Sequence, residues 1–417
     1  MRSTASDLLF YTGHGSAPQG WSETIAAVQD TKDYPVVSDL IRQMVTFATE
    51  FSLSGNIWHY WLTYMLMMHE NAFSLTCERK SVLKDSTIME LAAADMSFYR
   101  ELYMPNLNKM GPLISMVDYK PPYGNSSSRI GEIIRNLTDD LLKTPSQEAF
   151  TCRLADHYAA YGVGIYGIYK AFRISPEGAE VSLIPVTDDA DVCFDDLIGL
   201  ETQKKTLKEN TEAFLHGKKA NNVLLYGDSG TGKSTSIHAL MHDYFKDGLR
   251  LVELSKQDRH LLPRVLSSVK KRNYRFIIFL DDLSFEENES DYKELKAMLE
   301  GALEKRSDRI LIYATSNRRH LIRETWTDRK DMEYQNDIHH SDTMEEKLSL
   351  ASRFGVTIYY SKPDPDEYQH IVGELAKRSH IEITEQELHD QARKWELRHG
   401  GMSGRTASQF ITWLGGN

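Results

Sequence analysis

"NVLLYGDSGTGKSTSIHALMHDYF", residues 222–245, decides how the rest of the 417-residue chain is read. An apolar run of strand length leads into Gly227, and the spacing of Gly227, Gly232, Lys233 and Ser234 satisfies G-x-x-x-x-G-K-[ST]. The next residues, "TSIHALMHDYF" (235–245), have helical spacing, so the pattern stands between a strand and a helix as its mechanism requires. Gly227, Gly230 and Gly232 leave backbone N–H groups able to converge on phosphate oxygens, and the positive end of the following helix faces the same anion. Lys233 is expected to reach the β- and γ-phosphates, and the Ser234 hydroxyl to ligate Mg²⁺. The whole loop, Gly227, Asp228, Ser229, Gly230, Thr231, Gly232, Lys233, Ser234 and Thr235, is the expected nucleotide contact.

Working outward, "RFIIFLDDLSFEE" (275–287) is an apolar run that stops in two carboxylates about fifty residues after the loop. Asp281 fits the second protein contact to Mg²⁺, and Asp282 would then lie beside the γ-phosphate, placed to polarise an attacking water. "ILIYATSNRR" (310–319) is a further apolar strand with a polar end, where Asn317 is expected to orient that water or touch the γ-phosphate. Arg353, in "EEKLSLASRFG" (345–355), reads either as a charge at a helix C-terminus or as an arginine finger projecting into a neighbour's ATP site. Arg405, in "GGMSGRTASQF" (400–410), falls in the first turn of a helix, where a cation is electrostatically unfavourable, so a phosphate partner is expected.

The surrounding chain supports an α/β class. From residue 222 to 360, "NVLLYG", "LRLVEL", "RFIIFLDD", "RILIYATS" and "GVTIYY" alternate with helical stretches, which implies a parallel sheet covered on both faces. Residues 36–172 have helical periodicity, with a Pro, Gly and Ser interruption at 110–128; the aromatic-rich "HYAAYGVGIYGIYKAF" (157–172) reads as packed helix. A short strand (179–186) and an acidic stretch (187–196) precede the change of composition. The expected division is a helical N-terminal domain (1–190), an α/β nucleotide-binding domain (191–362) and a small helical lid (363–417).

Composition narrows the function classes. Hydrophobic residues make up 41% and charged residues 26%, a globular balance. The three cysteines, Cys77, Cys152 and Cys193, have no metal-ligand or CxxC spacing and suit a reducing cytoplasm. "IWHYWLTYMLMM" (57–68) is shorter than the roughly 20 residues that cross a bilayer and contains His59, so a buried helix is expected and no membrane partner. The start lacks the long apolar core and cleavage site of a secretory signal. A net charge of −11 and the lack of a helix-turn-helix pattern count against nucleic acid. Basic runs such as "KKRNYR" (270–275) and "RRHLIRETWTDRK" (318–330) keep it possible but not favoured. His339 and His340 are adjacent, poor geometry for two ligands on one helix face.

Taken together the motifs resemble the AAA+ P-loop ATPases, in their order. "FDDLIGLETQKKTL" (194–207) looks like the adenine-contacting segment, with Leu197, Ile198 and Gly199 at its turn. "GDSGTGKS" looks like Walker A, "FIIFLDD" like Walker B, Asn317 like sensor 1, Arg353 like the arginine finger of replication-initiator and clamp-loader relatives, and Arg405 like sensor 2. Residues 190–417 are most similar to a bacterial family of AAA+ ATP-binding proteins catalogued as a domain of unknown function. The resemblance implies ATP and Mg²⁺ as cofactors, a homo-oligomer with a finger in trans, and an undefined protein client. One departure stands out: most AAA+ hydrolases carry Glu where this chain has Asp282. Three readings therefore compete: an ATP hydrolase that drives conformational change, a slow ATP-dependent switch or adaptor whose N-terminal helices bind a protein, and, less favoured, a DNA-associated ATPase suggested by likeness to initiator and helicase-loader relatives.

Overall fold

The computed structural model describes residues 8–11, 34–79, 85–103, 118–121, 129–175, 182–186, 192–270, 272–283, 295, 299, 308–317 and 353–416. They belong to two compact units, Met1–Tyr169 and Lys170–Asn417, each described by itself.

Among its described residues the first unit is helical: α1 (Tyr34–Glu50), α2 (Ile57–Met68), α3 (Ala72–Arg79), α4 (Thr87–Tyr103), α5 (Arg129–Leu142), α6 (Gln147–Tyr161) and the short α7 (Ile165–Ile168). The apolar run at 57–68 is α2, started by Asn56, whose side chain accepts from His59 N–H at 3.1 Å. Trp58, Trp61, Leu62, Met65 and Leu66 on it are buried. Among the described residues no helix is long and apolar enough to cross a membrane. Several polar side chains inside this core are paired, as burial favours. Thr63 shares hydrogen bonds with Tyr103 (2.6 Å) and Thr138 (2.7 Å). Buried Asp95 on α4 accepts the backbone N–H groups of Leu9, Phe10 and Tyr11 at 2.9, 2.7 and 3.2 Å.

The second unit is built on a seven-stranded sheet: β1 (Ala171–Ser175), β2 (Ser182–Pro185), β3 (Val223–Gly227), β4 (Leu249–Leu254), β5 (Arg275–Leu280), β6 (Ile310–Ser316) and β7 (Val356–Tyr360). Their order is β2-β1-β4-β5-β6-β3-β7, parallel throughout except that β2 runs antiparallel to β1. The central strands are oily on both faces because helices cover both. Every residue of β5 after Arg275 is buried, and each such side chain contributes roughly 1.5–3 kcal/mol. The helices α8 (Glu201–Leu215), α9 (Lys233–Tyr244) and α10 (Leu262–Val269) alternate with the strands. Then α11 (Pro365–Arg378), α12 (Glu385–Arg398) and α13 (Gly404–Gly415) enclose a separate small core of Tyr368, Val372, Leu388, Ala392 and Phe410.

The structure departs from the sequence reading at 157–172. Helix α6 ends at Gly162 (φ +86), Gly164 (φ +70) precedes the single turn of α7, and Ala171 already opens β1. The compact unit that holds the sheet begins at Lys170, ahead of the composition change at 190. The reason is hydrogen bonding: β1 pairs parallel with β4 and carries β2 on its outer edge.

Asp95→Ala removes the shared acceptor of three N–H groups and is expected to lower the stability of the helical unit by about 3 kcal/mol. A urea titration reads this as a lower midpoint at unchanged slope; an unchanged midpoint would show that residues 8–11 are held by something else.

Candidate functional site

Strand order builds the site. Strand β6 lies between the phosphate-loop strand β3 and the acid strand β5, with Tyr226 opposite Ser316 and Leu280 opposite Ala314. The carboxyl ends of three parallel strands therefore meet at one level, and the residue after β6, Asn317, lies between the loop and the acids. Such carboxyl ends are where open α/β sheets bind ligands.

The loop is strapped to the next strand. Asp228 N–H donates to Tyr360 O (3.1 Å), Lys362 N–H to Asp228 Oδ2 (3.3 Å) and Thr231 Oγ1 to Asp228 O (2.8 Å). Gly227 has φ +138, and a Cβ there would stand 2.0 Å from Tyr360 O, so only glycine fits. Gly232 (φ +96) turns the chain into α9, and a Cβ on it would meet Leu197 and Leu200 at 3.4 Å. This brings the 197–199 segment behind the loop, turned by Gly199 at φ +73 and Leu200 at φ +62. Gly230 is touched from the lid: Arg405 N–H donates to Gly230 O at 3.2 Å. Ser229 is exposed and Thr235 half-buried.

Lys233 is buried, and its ammonium has three donors and three acceptors: Gly227 O (3.0 Å), Asp228 O (2.6 Å) and Asn317 Oδ1 (3.0 Å). Burial pulls its pKa below the usual lysine range; Asp228, Asp281 and Asp282 oppose that pull, and the positive charge of Arg405 adds to it. Asn317 Nδ2 donates to Asp282 Oδ1 at 3.0 Å. An ammonium on one side and a carboxyl on the other fix which way the amide points.

The acids are held by β6. Ser234 Oγ donates to Asp281 Oδ1 (2.7 Å), and Thr315 Oγ1 donates to the same oxygen. Thr315 Oγ1 also accepts Asp282 N–H at 2.9 Å, and Leu283 N–H reaches Thr315 O at 2.7 Å. Asp282 has φ +47, a left-handed conformation uncommon outside glycine. Arg259 Nη2 donates to both acid-pair carbonyls, Asp281 O at 3.0 Å and Asp282 O at 3.1 Å. No motif in the sequence points to Thr315 or Arg259.

Ser234 and Asp281 offer two hard oxygen donors on neighbouring elements. That small set fits Mg²⁺, which keeps water and phosphate oxygens around it. Among the described residues there is no cluster of three or more His, Cys, Asp or Glu suited to a metal.

Arg353 is not brought to the loop of its own chain. It precedes β7, while Gly227 pairs with Tyr360 at the other end of that strand, and the four steps of β7 alone span roughly 13 Å. Arg353 is exposed. Arg318, Arg319, Glu286, Glu287, His339, His340 and the polar stretch 320–347 lie outside the described residues. A groove of about 740 Å³ between α8 and α11 includes Leu197, Ile198 and Gly199 but no residue of the phosphate loop. The hydrogen-bonded cluster around Lys233 lies apart from this groove's lining.

Residues 168–417, more than half of the chain, match the protein family described as "Protein of unknown function (DUF815)". The replication factor C large subunit of Methanococcus vannielii is 31% identical over 94 residues, which cover 22% of this chain and 19% of that protein. The same protein of a Methanococcus maripaludis strain is equally similar over the same length; the match thus spans about a fifth of these curated relatives. Among solved structures, the RuvB Holliday junction branch migration motor of Thermotoga maritima is similar over 53% of this chain and 63% of its own, with 18% identity and a TM-score of 0.37. The FIGL-1 AAA domain in complex with ADP is similar over 53% and 72%, with 21% identity and a TM-score of 0.36.

Gly227→Ala is expected to cost roughly 1–3 kcal/mol through its left-handed backbone and its overlap with Tyr360 O, lowering the melting temperature by several degrees. Gly404→Ala is the control, because its nearest neighbour, Gly230 O, is at ordinary contact distance, 3.5 Å. Equal melting temperatures for the two variants would contradict the close approach of loop and strand.

Proposed function

The chain belongs to the family described as "Protein of unknown function (DUF815)", and from that footing we propose that it is an AAA+ ATPase that binds and hydrolyses ATP with Mg²⁺, driving conformational change in a homo-oligomer that acts on a protein client. The observation that carries this reading is the position of Asn317. Its amide accepts from Lys233 and donates to Asp282, both at 3.0 Å. One side chain thus holds the phosphate anchor and the water-polarising carboxyl in register.

The loop amides and the start of α9 bind the β- and γ-phosphates, whose oxygens compete with Gly227 O and Asp228 O for the Lys233 donors. The bond to Asn317 keeps the ammonium aimed at the strand ends meanwhile. Ser234 and Asp281 would hold Mg²⁺, which when bound supplies charge neutralisation across the phosphate oxygens. Asn317 orients the attacking water, and Asp282 Oδ2, the oxygen not bonded to Asn317, accepts its proton. Leu197, Ile198 and Gly199 take the base. Arg405, with its backbone already on Gly230 O, reports phosphate occupancy to the lid (363–417). A finger in trans is supported by the distance of Arg353 from its own loop, and it requires a head-to-tail interface. The N-terminal helices are the expected client-binding part, in a cytoplasmic setting; nucleic acid is not favoured.

The second reading, a slow ATP-held switch, has its own observation. Asp282 is one methylene shorter than the glutamate of most relatives, and one of its oxygens is bonded to Asn317. Phosphate release measured at rising protein concentration separates the two. The hydrolase should turn over ATP, and Asp282→Asn should lower kcat about 10²- to 10⁴-fold while ATP binding persists. Wild-type protein that binds ATP without turnover at every concentration would leave the switch as the function.

Arg353→Ala should lower kcat about 10³-fold or more. Mixing it with Lys233→Ala subunits should restore part of the activity, since mixed interfaces pair an intact loop with an intact finger. No recovery on mixing would remove the trans role.

A further inference from the structure

Strand β5 is flanked by β4 and β6, and the acid pair at its end is gripped from both sides. From β6, Thr315 takes Asp282 N–H (2.9 Å) and Leu283 N–H (2.7 Å). From the β4 side comes Arg259, on the short 3₁₀ segment Lys256–Leu261 that follows that strand. Its guanidinium is buried and donates through Nη2 to Asp281 O (3.0 Å) and Asp282 O (3.1 Å).

This grip falls on Asp282, a non-glycine residue with a left-handed backbone at φ +47. Such a conformation persists where the surroundings over-determine it, and here the amide and the carbonyl of the same residue are both tied, the amide to Thr315 on β6 and the carbonyl to Arg259 on the 3₁₀ segment. The consequence is directional. With its backbone turned this way, the short Asp282 side chain meets Asn317 Nδ2 at 3.0 Å.

We infer that Arg259 is a positioning residue for ATP hydrolysis: by holding the carbonyls of Asp281 and Asp282, it fixes the left-handed turn that aims the Asp282 carboxyl at the water site. Its donors are on the backbone carbonyls of the acid pair, so its contribution passes through Asp282. Arginine suits the task because it stays charged when buried and its planar fork is rigid, whereas a lysine offers a mobile point charge. The inference rests on the hydrolase reading.

The test measures ATP turnover and Mg·ATP affinity for Arg259→Ala and Arg259→Lys, each alone and combined with Asp282→Asn. Arg259→Ala should lower kcat about 10- to 100-fold, the range for mispositioned catalytic groups, with the Kd for Mg·ATP changed less than about threefold. Arg259→Lys should recover part of kcat, and neither substitution should lower the residual rate of Asp282→Asn further. Wild-type turnover matched by Arg259→Ala would overturn the inference and leave the hydrolase reading standing. Parallel loss of affinity and rate, or collapse of the melting temperature in both Arg259 variants, would overturn it too, by making Arg259 a residue of the fold. Absence of turnover in the wild-type protein would fell the hydrolase reading and the inference with it.

Discussion

The insertion of β6 between β3 and β5 is the constraint on which the site depends. Had the phosphate loop and the acid strand been neighbours, Lys233 and Asp282 would face each other directly. With β6 between them, the end of that strand bridges the two: Thr315 holds the acids, and Asn317, the next residue after the strand, spans from the Lys233 ammonium to the Asp282 carboxyl. Register does this, since parallel pairing brings Ser316 level with Tyr226 and Ala314 level with Leu280.

The same junction links chemistry to motion. Gly230 O is held by the backbone of Arg405, the first turn of the last lid helix, and the loop is also tied to the strand end that leads into α11 through Tyr360 and Lys362. On the proposed function, a phosphate that alters the loop would pull on the last C-terminal helix and on the entry to α11 alike. Arg353 stands apart at the far end of β7, which suits a residue that serves a neighbouring subunit.

Much of this is legible in the amino-acid sequence alone. Glycine spacing followed by Lys233 and Ser234 marks a tight loop between a strand and a helix, and β3 and α9 flank it. An oily run ending in Asp281 and Asp282 marks a buried strand with a polar end. The residues that the sequence hides are those whose roles come from long-range pairing. Thr315 sits in an ordinary apolar strand and gains its role only because β5 is alongside. Arg259 lies in "SKQDRHLL" (255–262), a polar run that looks like any solvated turn, although its side chain is buried. Strand β1 reads as helix in the sequence because the apolar spacing of "GVGIYGIYKAF" (162–172) fits either period. The glycines at 162 and 164, both with positive φ, are the available signal for the break.

Equilibrium binding of ATP in the presence of Mg²⁺, compared between wild type and Lys233→Ala, tests most directly whether this junction is a phosphate seat. One saturable site per chain is expected in the wild type, weakened at least about tenfold by loss of the charged hydrogen bonds in the variant. Equal affinities in the two proteins, or no saturable binding in the wild type, would contradict it.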